Sequence, residues 1–431
     1  MLRQGMNIEP NGHLSFGGAD LPALAAEYKT PLYVFSEDVF RSACRAFNRS
    51  IKQFYGGHGL VLYASKAFAC KAIYKVIAEE GLGADVVSGG EIYTALQAGF
   101  LPEKLYFHGN NKSAEEIDFA VKSGVGCIVI DDEAEIAMIS AAAAKYHTRQ
   151  RVFLRVKPGI DAHTHNFIKT GQVDSKFGFL KGSELTAAVK VVLNAENLIY
   201  AGLHCHIGSQ IFDTEPFCAA AEVMVEVMAR LKSELGCETE CLDLGGGFGI
   251  RYTKEDDPLA YEAFMEMVST RLKAACNRLK VALPFVLIEP GRSIVGPAGL
   301  TLYTVGHIKN IPNIRTYVAV DGGMTDNPRY ALYGAKYEVE IANKANRPKD
   351  FCATIAGKCC ESGDLIGEGI AMQRPQRGDI LAVLSTGAYN YSMASNYNRI
   401  PRPAAVLVKD GKARVIVARE SYEDLIKNDL D

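Results

Sequence analysis

Between residues 61 and 292, short apolar segments rich in β-forming residues alternate with amphipathic helical ones, and this alternation constrains the fold more than any other feature of the chain. The apolar runs are VLYASKA (61–67), GADVVSGG (83–90), KLYFHG (104–109), CIVIDD (127–132), RVFLRVKPG (151–159), IYAGLHCHIGS (199–209), CLDLGGGFG (241–249) and FVLIEPGR (285–292). Segments such as KAIYKVIAEEGL and EIYTALQAGF lie between them. Each run is apolar on both faces and closes in polar or glycine-rich residues. Runs without polar alternation fit parallel strands covered on both sides. About eight such units over roughly 230 residues match an α/β fold of the (β/α)8 TIM-barrel type. An open doubly wound sheet is the alternative. It should carry G-x-G-x-x-G after its first strand, and none is there.

After residue 292 the pattern changes. TLYTVGHIK, TYVAVDGG, YEVEIA, DILAVLS, AAVLVKDG and KARVIVAR read as short strands separated by turn residues. They predict a second, mostly β C-terminal domain, joined by the N-terminal YVFS strand or by residues before it. The expected division is 36–292 for the barrel, with 1–35 and 293–431 in the β-rich domain. The 431-residue length accommodates both. Lys and Arg total 47 against 50 Asp and Glu, a net charge of −3. That balance excludes the basic footprint of a nucleic-acid binder. Eleven cysteines form no framework spacing, which predicts reduced thiols and a cytoplasmic protein. No apolar leader opens the chain and no apolar run is long enough to span a membrane, so neither a signal peptide nor a membrane helix is expected.

In a barrel, chemistry gathers where the strands end. The expected strand ends supply Lys66, Asp85, His108 with Asn110, Asp131, Arg155, His206 with Ser209, the Gly245–Gly247 run, and Glu289 with Arg292. Lys66 follows an apolar strand, and desolvation there would expose a nucleophilic amine suited to a Schiff base. A lysine simply reaching solvent is the plainer alternative. Three glycines after LDL let backbone N–H groups approach an anion, although a flexible turn has the same sequence. Ser209 could add a hydroxyl to the same anion. Glu289 could pair with a ring nitrogen or form a salt bridge with Arg292. His206 could stack on a cofactor ring or be a satisfied core histidine. His204 and His206 share one strand face, and no spaced Cys or His pair completes a tetrahedral set, so no metal is expected. In the second domain, DNPRYALYGA, CCESGD and GAYNYSMASNYN are dense in polar and aromatic residues in turn-like settings, which favours function. Tyr391 and Tyr397 could equally be surface aromatics.

YASKA around Lys66, GADVVSGGE, SKFGF, HCHIGSQ, DLGGGFG, EPGRSIVGPAG, NPRYALYGA, CCESGD and GAYNYSMASNYN run in order from about Pro31 to Pro403. Together they resemble the diaminopimelate decarboxylase family of the alanine-racemase-like, fold-type III pyridoxal-phosphate enzymes. The resemblance implies a homodimer with shared active sites and decarboxylation of meso-2,6-diaminopimelate to L-lysine and CO2. It implies pyridoxal 5'-phosphate held by Lys66 as the internal aldimine, with His206 stacked on its ring and Glu289 on its pyridine nitrogen. Asp85 and Glu91 would support the lysine and histidine side. Ser209, Gly245, Gly246, Gly247, Gly291 and Arg292 would form the phosphate end. From the partner subunit, Cys360 would donate a proton and Glu361 would contact the distal ammonium. Tyr389 would touch both phosphate and substrate. Arg292, Arg329 and Tyr333 would hold the distal carboxylate. The vicinal Cys359 places a second thiol beside the expected donor. Ornithine lacks a distal carboxylate and would leave two arginines without a ligand. Decarboxylation of ornithine, arginine or carboxynorspermidine is therefore the second choice. A racemase is disfavoured by Glu289, and a silent homologue by the presence of Lys66 and the Cys–Glu pair.

Overall fold

The computed structural model describes residues 2–160 and 174–431. The chain divides into two compact units, one of Ala43–Gly249 and Pro258–Ser293, the other of Met1–Ser42, Ile250–Asp257 and Ile294–Asp431.

The first unit is built on β1 (Gly59–Ala64), β2 (Gly83–Val86), β3 (Leu105–Phe107), β4 (Cys127–Ile130), β5 (Gln150–Lys157), β6 (Leu198–His204), β7 (Cys241–Asp243) and β8 (Phe285–Ile288). Each strand pairs in parallel with the next. β8 returns to β1 through Val286↔Gly59, closing the barrel. Closure leaves no open edge, which suits strands apolar on both faces. One face fills the barrel interior: Leu62, Cys127, Val129, Phe153, Ala201, Cys241 and Leu287 form a single buried cluster. Burying each large side chain there contributes roughly 1.5–3 kcal/mol. Five of the eight strands lie within the apolar runs marked above and β1, β5 and β6 begin one or two residues before theirs, but most stop short of the polar tails of those runs. The tails thereby become the loops at the barrel mouth.

Local signals set the helices that frame the mouth. Ser88 caps Gly89–Gln97 by accepting from the Glu91 N–H. Ser113 and Glu116 form a capping box at the start of Ala114–Lys122.

The second unit is mostly β. Its large sheet runs Leu365–Met372, Phe351–Ala356, Arg315–Val320, Gly299–Ile311, Leu32–Ser36, Ala404–Lys409 and Lys412–Val417, with Val339–Ile341 and Ile380–Val383 paired off that path. The YVFS strand lies within it, antiparallel to Gly299–Leu302 and parallel to Ala404–Val408. Tyr303, Val318, Ile341, Ile355, Met372 and Leu381 belong to its core. Two of its strands, Phe351–Ala356 and Leu365–Met372, were not expected from the sequence. The second, LIGEGIAM, is interrupted by Glu368 and two glycines, which hide its alternation. Among the described residues no helix is long and apolar enough to cross a membrane.

Candidate active site

Every barrel strand delivers a polar group to the mouth. Lys66 lies on the single turn Ser65–Ala67 after β1. Asp85 is the third residue of β2, and His108, Asp131 and Glu289 each follow their strands directly. Arg155, His204 and Asp243 are in the terminal parts of β5, β6 and β7. Apart from Lys66, these side chains are all buried.

Tyr74 braces the lysine turn. Its hydroxyl donates to Ser65 Oγ at 2.9 Å and contacts the Glu91 carbonyl at 3.3 Å. From that turn Lys66 Nζ stands 3.7 Å from Asp85 Oδ2, with 40% of its side chain exposed. Glu91 bends back so that its Oε2 accepts the Val87 N–H at 2.8 Å. Burial raises the Glu91 carboxyl to about 7, despite that hydrogen bond. Asp85 is also raised by burial, and His108 partly offsets the shift.

Glu289 sits between two imidazoles. His108 Nε2 is 2.8 Å from Oε1, an ion-pair distance whose angle is too poor for a hydrogen bond. His204 Nε2 is 3.4 Å from Oε2. The two rings meet edge to face at 4.7 Å. Burial pushes Glu289 up, but the two histidines more than offset it and keep the carboxylate ionised. Asp243 moves the other way. Burial and the Glu289 charge raise it far above the usual carboxyl range, so it takes the proton. Burial lowers His204 to about 3, which makes it a neutral ring donating to Glu289.

His206 is neutral as well, pushed down by burial and by Lys66. Its Nδ1 accepts the Gly246 N–H at 3.2 Å, which leaves the proton on Nε2. The Gly245 N–H is likewise used, donating to Asp243 Oδ1 at 2.8 Å. Two of the three glycine N–H groups are thus turned inward, which the sequence alone does not reveal. Close packing explains the glycines better: a Cβ at Gly246 would lie 2.1 Å from the Glu289 carbonyl oxygen. At the same end, Arg292 donates through Nε and a terminal nitrogen to Ser209 Oγ at 3.2 and 3.0 Å. A Cβ at Gly291 would meet the Ala64 methyl at 2.8 Å.

The donors of His108, His204, Asp243 and Glu289 lie within 4.8 Å of one another. Four strands contribute this set, so sequence spacing on one strand could not show it. Among the described residues Asp85 Oδ1, His204 Nδ1, Asp243 Oδ2 and Glu289 Oε1 have no hydrogen-bond partner, the last with only the ion-pair contact of His108. Each unpaired buried polar atom costs about 1–3 kcal/mol. The mouth therefore suits a polar guest offering a proton donor to Glu289, and a protonated ring nitrogen fits. His108 and Arg155 are visible in the sequence only as strand ends. His204 and Asp243 open the HCHIGSQ and DLGGGFG motifs, but nothing in those motifs shows that they meet at Glu289.

In the second unit, Arg329 is buried with its guanidinium 5.2 Å from the Tyr333 ring and 5.3 Å from the Tyr389 ring. Its Nε has no hydrogen-bond partner, so this cation is available to an anion. Tyr389 adopts φ +69°, which turns it out of the preceding strand direction. Cys360 and Glu361 are exposed on the loop that follows Phe351–Ala356. The Cys359 thiol is pushed up to about 11, by burial and then by Asp364.

Comparison with known proteins adds an independent line. A family model described as pyridoxal-dependent decarboxylase, pyridoxal binding domain, matches residues 39–296. The diaminopimelate decarboxylase of Bacillus subtilis is 49% identical over 424 residues, 97% of this chain and 96% of that protein. The one from Synechocystis sp. is 43% identical over 431 residues, 98% of this chain and 91% of its own. The crystal structure of diaminopimelate decarboxylase from M. jannaschii with L-lysine superposes with a TM-score of 0.90 at 34% identity, covering 100% of this chain and 99% of that one. The lysine/ornithine decarboxylase of Vibrio vulnificus, 20% identical with a TM-score of 0.75 over 90% of this chain and 97% of its own, shares the fold.

Proposed function

The chain belongs to the pyridoxal-dependent decarboxylases, and within them to the diaminopimelate decarboxylases; it converts diaminopimelate to lysine and CO2 with pyridoxal phosphate, and we propose the following roles for its residues. When bound, the cofactor supplies an electron sink for the pair left at Cα as CO2 departs. Lys66 is the amine that holds its aldehyde. The observation that carries this reading is the convergence of Lys66, Asp85 and an ionised Glu289 at one mouth. Glu289, held charged by two imidazoles, keeps a proton on the ring nitrogen. His206, neutral and fixed by Gly246, supplies a flat face for the ring. Asp85 and Glu91 set the charge around Lys66. Ser209, Gly247, Gly291, Arg292 and Tyr389 make the phosphate end, with Arg292 oriented by Ser209, while Gly245 and Gly246, their N–H groups already used, contribute close backbone approach.

Positioning would come from the far end of the substrate, because the reacting carboxylate itself leaves and only the distal groups can be gripped throughout. Arg329, with its orphaned Nε between two tyrosines, suits a distal carboxylate, aided by Tyr333 and Arg292. A bidentate guanidinium grip distinguishes a carboxylate from a bare ammonium. The partner subunit's Cys360 delivers the proton to Cα, and the partner subunit's Glu361 receives the distal ammonium. Cys359 is partly buried whereas Cys360 is exposed, which supports that choice. This reading makes the working form a homodimer, and we place it in the cytoplasm.

The test is CO2 release from meso-diaminopimelate with and without added pyridoxal phosphate, against ornithine, arginine and carboxynorspermidine. Cofactor-dependent release from diaminopimelate well above the other three is expected. Equal or greater release from ornithine would remove the role given to Arg329.

A further inference from the structure

The second unit holds a buried carboxylate that the reaction above does not use. Asp364 ends the CCESGD motif and is 3% exposed. Its Oδ1 accepts the Met324 N–H at 2.5 Å, and its Oδ2 accepts the Cys359 N–H at 2.7 Å. Met324 belongs to the DGGMTDNPR segment that leads into Arg329, and Cys359 directly precedes Cys360. Main-chain bonds run beside this bridge: Lys358 N–H donates to the Gly322 carbonyl at 3.0 Å, and Gly357 N–H to the Asp364 carbonyl at 2.9 Å. Both loops make room for the carboxylate. A Cβ at Gly323 would lie 2.4 Å from Asp364 Oδ1, and one at Gly357 would lie 2.2 Å from Oδ2. A third motif ties on. Asn398 Oδ1 accepts the Cys360 N–H at 2.8 Å, and Ser395 N–H donates to the Thr325 carbonyl at 2.9 Å.

Hydrogen bonds from N–H groups to a carboxylate are roughly twice as strong as neutral ones. Two of them, on opposite oxygens of one short side chain, leave two loops little freedom to move apart. We infer that Asp364 is a positioning residue that locks the segment leading into Arg329 to the loop carrying Cys360 and Glu361, so that each clamp serves both the carboxylate grip of its own subunit and proton delivery to the partner's site. The inference rests on the roles proposed for Arg329 and Cys360. Displacing a reacting group by 1 Å can cost about a hundredfold in rate, so loosening the clamp has consequences at both loop tips.

The test is Asp364→Asn in the cofactor-loaded enzyme. The amide keeps one acceptor oxygen and turns a donor toward one of the two N–H groups. Expected is a joint change, with kcat down at least about tenfold and KM for diaminopimelate up at least about fivefold, the effect of one buried donor left unpaired. The visible absorption of the Lys66-bound cofactor should stay, because the clamp lies in the other unit. Asn398→Ala, which frees only the loop of Cys360 and Glu361, should lower kcat and raise KM less than Asp364→Asn does. Unchanged kcat and KM in Asp364→Asn, or a change in only one of them, overturns the inference. So does a lowered thermal midpoint with normal kinetics, which would make Asp364 purely structural. If Asp364→Asn yields no folded enzyme, Gly357→Ala pushes on the same carboxylate while keeping its charge. It must reproduce the joint change, and normal kinetics there overturn the inference equally. Cys360→Ser and Arg329→Lys serve as controls on the underlying roles. If both are silent, those roles fail; if both are impaired while Asp364→Asn is normal, only the clamp fails.

Discussion

The two units place their reactive side chains by different means. In the barrel the groups sit on or just beyond strand ends, buried, and each is fixed largely by the charge or dipole of another side chain: Glu289 by His108 and His204, Asp85 beside Lys66, Arg292 on Ser209. In the β unit the groups sit on loops and on the short helix Arg329–Tyr333, several exposed, and backbone N–H groups hold the flanking loops to single acceptors on Asp364 and Asn398. The barrel is therefore an electrostatic device, in which changing one group alters the protonation of others. The loop cluster is a geometric one, in which a change displaces its neighbours and leaves their charge alone.

Substitutions should separate along that line. Lys66→Ala carries the largest expected effect: kcat falls on the order of 10⁴-fold or more, as when the covalent group of a concerted set is removed. Its visible absorption should vanish with it. A variant that kept both would end the electrostatic half of the contrast. In the β unit the two loops should split the kinetic constants. Cys360→Ala should lower kcat about 10²- to 10³-fold with KM nearly unchanged, the scale of a lost general acid. Arg329→Ala should raise the KM for diaminopimelate about tenfold to a hundredfold, the worth of charge-assisted hydrogen bonds, with a smaller fall in kcat. Steady-state kinetics on both variants decides the matter. If Cys360→Ala raises KM as much as Arg329→Ala does, the loops do not divide the work as described.

The same difference explains what could be read in advance. Each of β1–β8 coincides with an apolar run, with β1, β5 and β6 starting one or two residues earlier, because a strand buried on both faces has no choice but to be apolar. Strand ends follow from that, so Lys66, Asp85, His108, Arg155 and Glu289 were visible as groups at one mouth. What was hidden is lateral. His204, Asp243, His108 and Glu289 come from four strands far apart in sequence, and only closure of the barrel makes them neighbours. The inward turn of the Gly245 and Gly246 N–H groups was hidden for the same reason, since it depends on Asp243 and His206. In the β unit no periodicity marks the loops. Arg329, Cys360 and Tyr389 are singled out in the sequence only through motif resemblance, and Asp364 lies within CCESGD without a role there. A carboxylate that accepts backbone N–H groups from two loops leaves no pattern in one-dimensional text, except the glycines that clear space for it.

The smallest predicted effect is also the most direct probe of barrel electrostatics. Glu91 is raised by burial from 4.5 to about 7. Between those values the folded chain keeps a proton that the unfolded chain has released. Stability from this group is therefore full below about pH 4.5 and declines as pH rises through 7. Glu91→Gln removes the titration but keeps an oxygen for the Val87 N–H. The thermal midpoint of the variant, measured relative to the parent, should accordingly climb from pH 5 to pH 8, by about 1–3 °C for a chain this long. Asp85 is the neighbouring charge that raises Glu91, with Lys66 opposing it. In an Asp85→Asn background the climb should shrink and level off at lower pH, its onset still set by the unfolded chain. A flat difference in both backgrounds would mean that Glu91 titrates like a surface carboxylate, and that the buried charges of the mouth do not reach as far as the first turn of helix Gly89–Gln97.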